Sequence, residues 1–144
     1  MRLRSKKSGF TLIELVLVIS IIALLIMAVG LTSGIRENAK VHSASESVKA
    51  LRTASESYIA AGSMTYTGIT VAGLQTSGFL PAAFSATGSN PWGGNYAIAP
   101  NTDANKVDIS LTGVTASAAT RLSALFANSA AATSYASETW TITF

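Results

Sequence analysis

The sequence predicts an α+β protein: one long N-terminal α-helix packed on a small antiparallel β-sheet head that carries one further short helix. Three observations predict it. An apolar run from Leu12 to Leu31 contains only Glu14 and Ser20 as strongly polar residues. A helical stripe with spacings of three and four follows directly on that run. The second half of the chain then turns to Gly, Ser, Thr and Pro with short alternating segments.

The apolar run comes first. About 20 apolar residues are enough to cross a bilayer as a helix. The residues before it, MRLRSKKSG, hold four of the ten cations (Arg2, Arg4, Lys6, Lys7) and no acid. A basic flank of this kind keeps the N-terminus in the cytoplasm while the rest crosses outward. Without residues 1–9, six cations face seven acids, a balance of −1. The net charge of +3 is therefore a property of the leader, and a basic surface for nucleic acid is not supported.

The stripe comes next. Val41, Ala44, Val48, Leu51, Ser55 and Tyr58 recur at helical spacing, widened by Ala54 and Ile59. The charges Arg36, Glu37, Lys40, Glu46, Lys49, Arg52 and Glu56 fall on the other faces, as an amphipathic helix requires. The spacing predicts one helix from Leu12 to Ala61, stopped at Gly62, with Gly30 and Gly34 as points of bending or local melting. Beyond it, TVAGLQTSGFLP holds one or two helical turns, and NPWGGNY (Asn90 to Tyr96) reads as a tight turn opening a strand. Strands are expected at Tyr96–Ala99 and Lys106–Leu111, the second alternating Val107, Ile109 and Leu111 with Asp108 and Ser110. TASAATRLSALFAN reads as a second helix capped by Thr115 or Ser117, and TWTITF as a closing strand. The expected order is a long helix, a loop, two strands, a short helix and a strand.

Glu14 is the residue that the greasy run does not explain. An ionised carboxylate in hydrocarbon costs at least a few kcal/mol and marks a function by default. A secretory signal peptide, with Met1–Leu31 discarded, fits poorly. The apolar stretch exceeds the usual core of such a peptide, no A-x-A site precedes a mature start, and the helical pattern continues unbroken. A plain single-span anchor accounts for length and orientation but leaves Glu14 idle.

KKSGFTLIELVLVISIIALL closely resembles the N-terminus of type IV prepilins and their pseudopilin relatives. The resemblance implies that a prepilin peptidase cuts between Gly9 and Phe10 and N-methylates Phe10, making Glu14 the fifth mature residue. It also implies a structural subunit of a type IV pilus, major-type, polymerised with identical subunits into a helical filament. Such a subunit is moved by an assembly platform and cytoplasmic ATPases. It waits in the bacterial inner membrane as a single-pass protein before joining an extracellular filament. An ion pair between Glu14 and the Phe10 amine of a neighbouring chain would compensate two charges that are each costly alone, and would fix axial register. The implied division is a leader over 1–9, a transmembrane and polymerisation helix over 10–31, and a globular head over 32–144 that includes the amphipathic half of the helix.

The second half of the chain, NPWGGNYAIAP with KVDISLTGVTASAATRLSALFA, is similar to the C-terminal half of type IVb-class pilins. Those relatives usually carry a cysteine on the later helix that pairs near the C-terminus. Here Ala118 and Ala119 occupy that stretch, and the chain has no cysteine, so packing by Trp92, Trp140 and Phe144 is expected to replace the staple. The nine-residue leader and Phe10 follow the type IVa habit, while Leu31 stands where many type IVa pilins have Pro. The alternative is a major pseudopilin of a type II secretion system, which often has a D-P-W-G-x-x-Y turn and an acidic calcium loop. After residue 90 only Asp103, Asp108 and Glu138 are acidic, too scattered for an oxygen cage.

The remaining chemistry is sparse. His42 is the only histidine and has no His or Cys beside it on the helix, which fits a surface residue. Asp103, Asp108 and Glu138 have no nucleophile companion, so no enzymatic site, cofactor or metal is expected. Trp92 reads as a packing anchor, and Tyr58, Tyr66, Tyr96 and Tyr135 as core or rim residues. Arg36, Lys40, Lys49, Arg52, Lys106 and Arg121 form no evident phosphate track.

Overall fold

The computed structural model describes residues 11–82, 84, 87 and 89–144, with residues 30–33 described as backbone only. The chain divides into two units, Met1–Arg36 and Glu37–Phe144. Helix α1, Leu12–Ala60, contributes to both. It runs on as one helix through Gly30 and Gly34 and ends at Ala60, one residue short of the expected Ala61. In the first unit, every side chain from Thr11 to Val29 is exposed.

In the second unit the expected stripe faces inward. Val41, Ala44, Val48, Leu51 and Ala54 are buried in one core with residues of the sheet and the later helices. Ser45 and Ser55 are buried on the same face, and each hydroxyl donates to a carbonyl three residues back, His42 O and Arg52 O, both at 2.7 Å. A buried hydroxyl satisfied inside its own helix avoids the penalty of an unpaired polar group.

The elements after α1 are α2 (Val71–Thr76), β1 (Tyr96–Pro100), β2 (Val107–Thr112), α3 (Ala116–Phe126), β3 (Ala132–Ala136) and β4 (Thr139–Thr143). The sheet has the order β1-β2-β4-β3, and every pair is antiparallel. Register follows the pleat: Ile98 faces Ile109, Ile109 faces Ile142 and Leu111 faces Trp140 across the strands. Tyr96, Ile98, Val107, Ile109, Leu111, Trp140 and Ile142 all point into the core while their neighbours point out. Pro100, which has no N–H to donate, sits at the end of an edge strand, where sheets accept it.

Strand β3 is a correction to the sequence reading, which expects none between the short helix and TWTITF. All five of its residues are exposed, so it shows no alternation that a sequence could reveal. Pairing with β4 holds it, through a two-residue turn in which Ser137 and Glu138 both have positive φ, 48° and 59°.

The helices start where side chains cap them. Thr70 accepts the Gly73 N–H at 3.0 Å before α2, and Thr115 accepts the Ala118 N–H at 3.3 Å before α3. On α3, Ala118, Ala119, Leu122 and Phe126 are buried. The stretch that lacks the relatives' cysteine thus packs as small core residues. Trp140 is fully buried with its Nε1 donating to Ser123 Oγ at 2.9 Å, and Phe126 lies 6.1 Å from the rings of both Trp140 and Phe144. The Arg52 guanidinium covers Phe144 from 4.6 Å.

The NPWGGNY turn is built around one side chain. Asn90 is buried, its Oδ1 accepting from the amides of Trp92 (3.0 Å) and Gly94 (2.9 Å). Its Nδ2 donates to Thr112 O (2.7 Å) and Asn95 O (3.3 Å). The turn is thereby tied to the end of β2, and Gly94 is needed because a Cβ there would strike the Thr112 backbone.

Candidate functional site

The first turn of α1 carries the acidic residue of an otherwise apolar stretch. Thr11 precedes the helix and Glu14 lies in its first turn. The Glu14 Oε2 accepts from both the Thr11 amide and the Thr11 hydroxyl, each at 2.9 Å. The Thr11 Oγ1 in turn accepts the Glu14 amide at a longer 3.4 Å. This is the reciprocal arrangement in which a T-x-x-E sequence satisfies two donors that a helix start leaves open. The sequence reading singled out Glu14 for its charge and missed this second role, although the four residues TLIE spell it. Among the described residues, Oε1 receives no hydrogen bond, so one oxygen of the carboxylate is left for another donor.

Behind that turn the helix offers hydrocarbon on every side. Exposure runs from 44% at Val18 to 82% at Leu12, with Ile, Leu, Val and Met all round the axis. By length and composition this is the one helix among the described residues able to cross a membrane. Ser20, the other polar residue, returns its hydroxyl to Val16 O at 2.8 Å, as a polar group in an apolar medium must. A helix that is apolar all round is normally surrounded, and the described side chains from Thr11 to Val29 are all exposed.

Gly9 and Phe10, the expected cleavage and methylation residues, lie outside the described residues. The other candidate residues are scattered. His42 is exposed on α1. Asp108 is half-buried, accepting from Asn101 at 2.9 Å and from Thr143 at 2.6 Å, which spends its oxygens on the fold. Asp103 pairs with Lys106 at 3.6 Å, and Glu138 sits in the β3–β4 turn. Among the described residues no three His, Cys, Asp or Glu side chains gather as a metal site would need. Lys49 and Arg52 are engaged with Glu46 and Glu56, both at 2.9 Å. Tyr96 is buried, Tyr58 and Tyr66 are half-buried, and Tyr135 is partly exposed with its hydroxyl on Val114 O at 2.9 Å.

Comparison with known families matches both halves. Residues 4–30 fit the prokaryotic N-terminal methylation motif, and residues 32–141 fit the family described as PilS N terminal. The chain belongs to the PilS N-terminal family. It is a type IV pilin-like prepilin, a structural subunit rather than a member of an enzyme family. No curated protein and no solved structure matches it. For a PilS-family prepilin, an all-round apolar helix with a carboxylate in its first turn is consistent with membrane insertion followed by pilus assembly.

A second polar cluster escaped the sequence reading. Glu37 Oε1 accepts from Thr115 Oγ1 at 2.8 Å and from Trp92 Nε1 at 3.2 Å. Next to it, Asn38 Oδ1 accepts from Arg121. The partners lie far along the chain, so no local spacing announces them.

Proposed function

We propose that this chain is the major-type pilin of a type IV pilus. Prepilin peptidase cuts it between Gly9 and Phe10 and methylates Phe10, releasing the leader 1–9. Residues 10–31 first anchor the subunit in the inner membrane with the N-terminus cytoplasmic. They then enter the core of an extracellular filament, with 32–144 as the head on its outside. Identical subunits are the principal partners, and the assembly platform and its ATPases drive the transfer.

One observation carries this reading: a helix start whose Glu14 lies on a surface of exposed hydrocarbon, with one carboxylate oxygen accepting no hydrogen bond among the described residues. Water is absent from a bundle of such helices. An ionised carboxylate and an α-amine are each unfavourable there and compensate one another when paired. The Phe10 amine of a neighbouring subunit is the charge that cleavage creates, so processing and assembly become one logic. The Thr11 bonds orient the carboxylate without neutralising it, and only one axial offset between neighbours brings amine and carboxylate together.

The test is Glu14→Ala. Cleavage continues while pili are lost or sharply reduced at the cell surface by electron microscopy. Normal pili from that variant would overturn the ion-pair role. The NPWGGNY turn also suits a type II secretion pseudopilin. That reading predicts short periplasmic filaments, calcium dependence and a protein-secretion defect on deletion, in place of long surface pili.

A further inference from the structure

The second unit takes hold of α1 through polar contacts before apolar ones. No side chain from Gly34 to Lys40 is buried, and the first buried apolar residue of the stripe is Val41. In the turn 37–40 the attachment consists of Glu37, bonded to the α3 cap Thr115 and the turn residue Trp92, and of Asn38, bonded to Arg121 on α3. Both donors to Glu37 converge on the single oxygen Oε1. One carboxylate therefore joins three elements that are otherwise distant in sequence: α1, the NPWGG turn and the start of α3.

We propose that this cluster is an acid-releasable clasp that fixes where the head first grips α1: at Glu37 when closed, one turn later at Val41 when open. A helical turn with no buried apolar side chain has little to hold it except its own propensity and such bonds. The glycines at 30 and 34 lower that propensity just upstream. Fraying that starts there is stopped by a side chain bound to the head, and among the described residues the first such side chain is Glu37. The clasp acts whether the assembled filament is a pilus or a pseudopilus.

Charge gives it pH dependence. The Thr115 hydroxyl, with the Trp92 indole and the Lys40 and Arg121 charges, holds the Glu37 carboxyl below its ordinary range, against an opposing effect of burial. Lys40 on α1 and Arg121 on α3 are the charged groups facing it. A lowered folded-state value contributes stability above the ordinary carboxylate range, and that contribution is lost as pH falls through Glu37's own value.

Hydrogen exchange with mass spectrometry on the full chain in detergent micelles tests this. Glu37→Ala is expected to speed exchange of the Asn38–Val41 amides about tenfold, the loss of roughly one charge-assisted bond. Exchange over Ala44–Ser55 stays as it was. Glu37→Gln mimics the protonated side chain, so at neutral pH its Asn38–Val41 amides exchange, relative to their intrinsic rates, as fast as those of the unchanged chain do in acid, and acidification accelerates them no further. Trp92→Phe removes one donor and gives a smaller acceleration than Glu37→Ala, and the double variant is no faster than Glu37→Ala alone. Unchanged exchange at Asn38–Val41 in Glu37→Ala would overturn the proposal. Equal acceleration over Ala44–Ser55 would also overturn it, because the residue would then support the whole head rather than one turn.

Discussion

Two adjacent glycines in the NPWGGNY turn should fail for different reasons and by different amounts when changed to alanine. Gly93 has φ of +83° and open space where a Cβ would go, so Gly93→Ala costs only the left-handed backbone penalty, about 1–2 kcal/mol. Gly94 has no such conformation, but its Cβ would lie 2.5 Å from the Thr112 carbonyl carbon and 2.7 Å from its Oγ1, with the carbonyl oxygen nearer still. Ordinary carbon contacts are about 3.5–4.0 Å, so backbone must move by about an ångström. Three hydrogen bonds stand in the way of that movement. They are Asn90 Nδ2 to Thr112 O (2.7 Å), Thr112 N to Asn95 O (3.1 Å) and Asn95 N to Thr112 Oγ1 (2.8 Å). At about 0.5–1.5 kcal/mol net each, Gly94→Ala loses roughly 2–4 kcal/mol. For a head of this size that corresponds to a drop in Tm of about 8–16 °C, against about 4–8 °C for Gly93→Ala. Near-ultraviolet circular dichroism follows the transition, because fully buried Trp140 reports the head whereas the far-ultraviolet signal is dominated by α1. A Gly94→Ala chain that melts no lower than Gly93→Ala would refute the close-approach argument.

Other expectations follow from the same packing. Replacing Ser137–Glu138 by Asn-Gly suits a turn whose two residues both have positive φ, and should raise stability by about 1–2 kcal/mol; an unchanged or lower Tm would contradict it. Trp140→Ala removes the largest fully buried side chain and leaves Ser123 without its partner, a loss of about 3–5 kcal/mol measurable by urea titration of the head. Ile19 is exposed and outside the buried core, so Ile19→Ala should leave the head's melting transition in place.

Much of this architecture was legible because burial leaves a period in the sequence. The α1 stripe could be read from Val41 to Ser55 because one face of that helix is buried, and β2 because Val107, Ile109 and Leu111 alternate with outward residues. Strand β3 was illegible for the converse reason. ATSYA buries no side chain, and the Ser-Glu turn after it has none of the Asn or Gly that usually marks a tight hairpin. The long-range polar contacts were hidden too. Glu37 looked like one charge among several on a solvent face, and only the fold brings Trp92 and Thr115 to it, 55 and 78 residues away. At the candidate site the TLIE motif points to Glu14 by its charge. The Thr11 bonds show that the same carboxylate also begins the helix.

The central claim is that cleavage at Gly9–Phe10 creates the amine that Glu14 requires. Intact-mass and N-terminal peptide mass spectrometry of the protein from its filament addresses it directly. The account predicts a chain that begins at N-methylated Phe10. An intact Met1, or a start near Ala28 as a signal peptidase would leave, would contradict it.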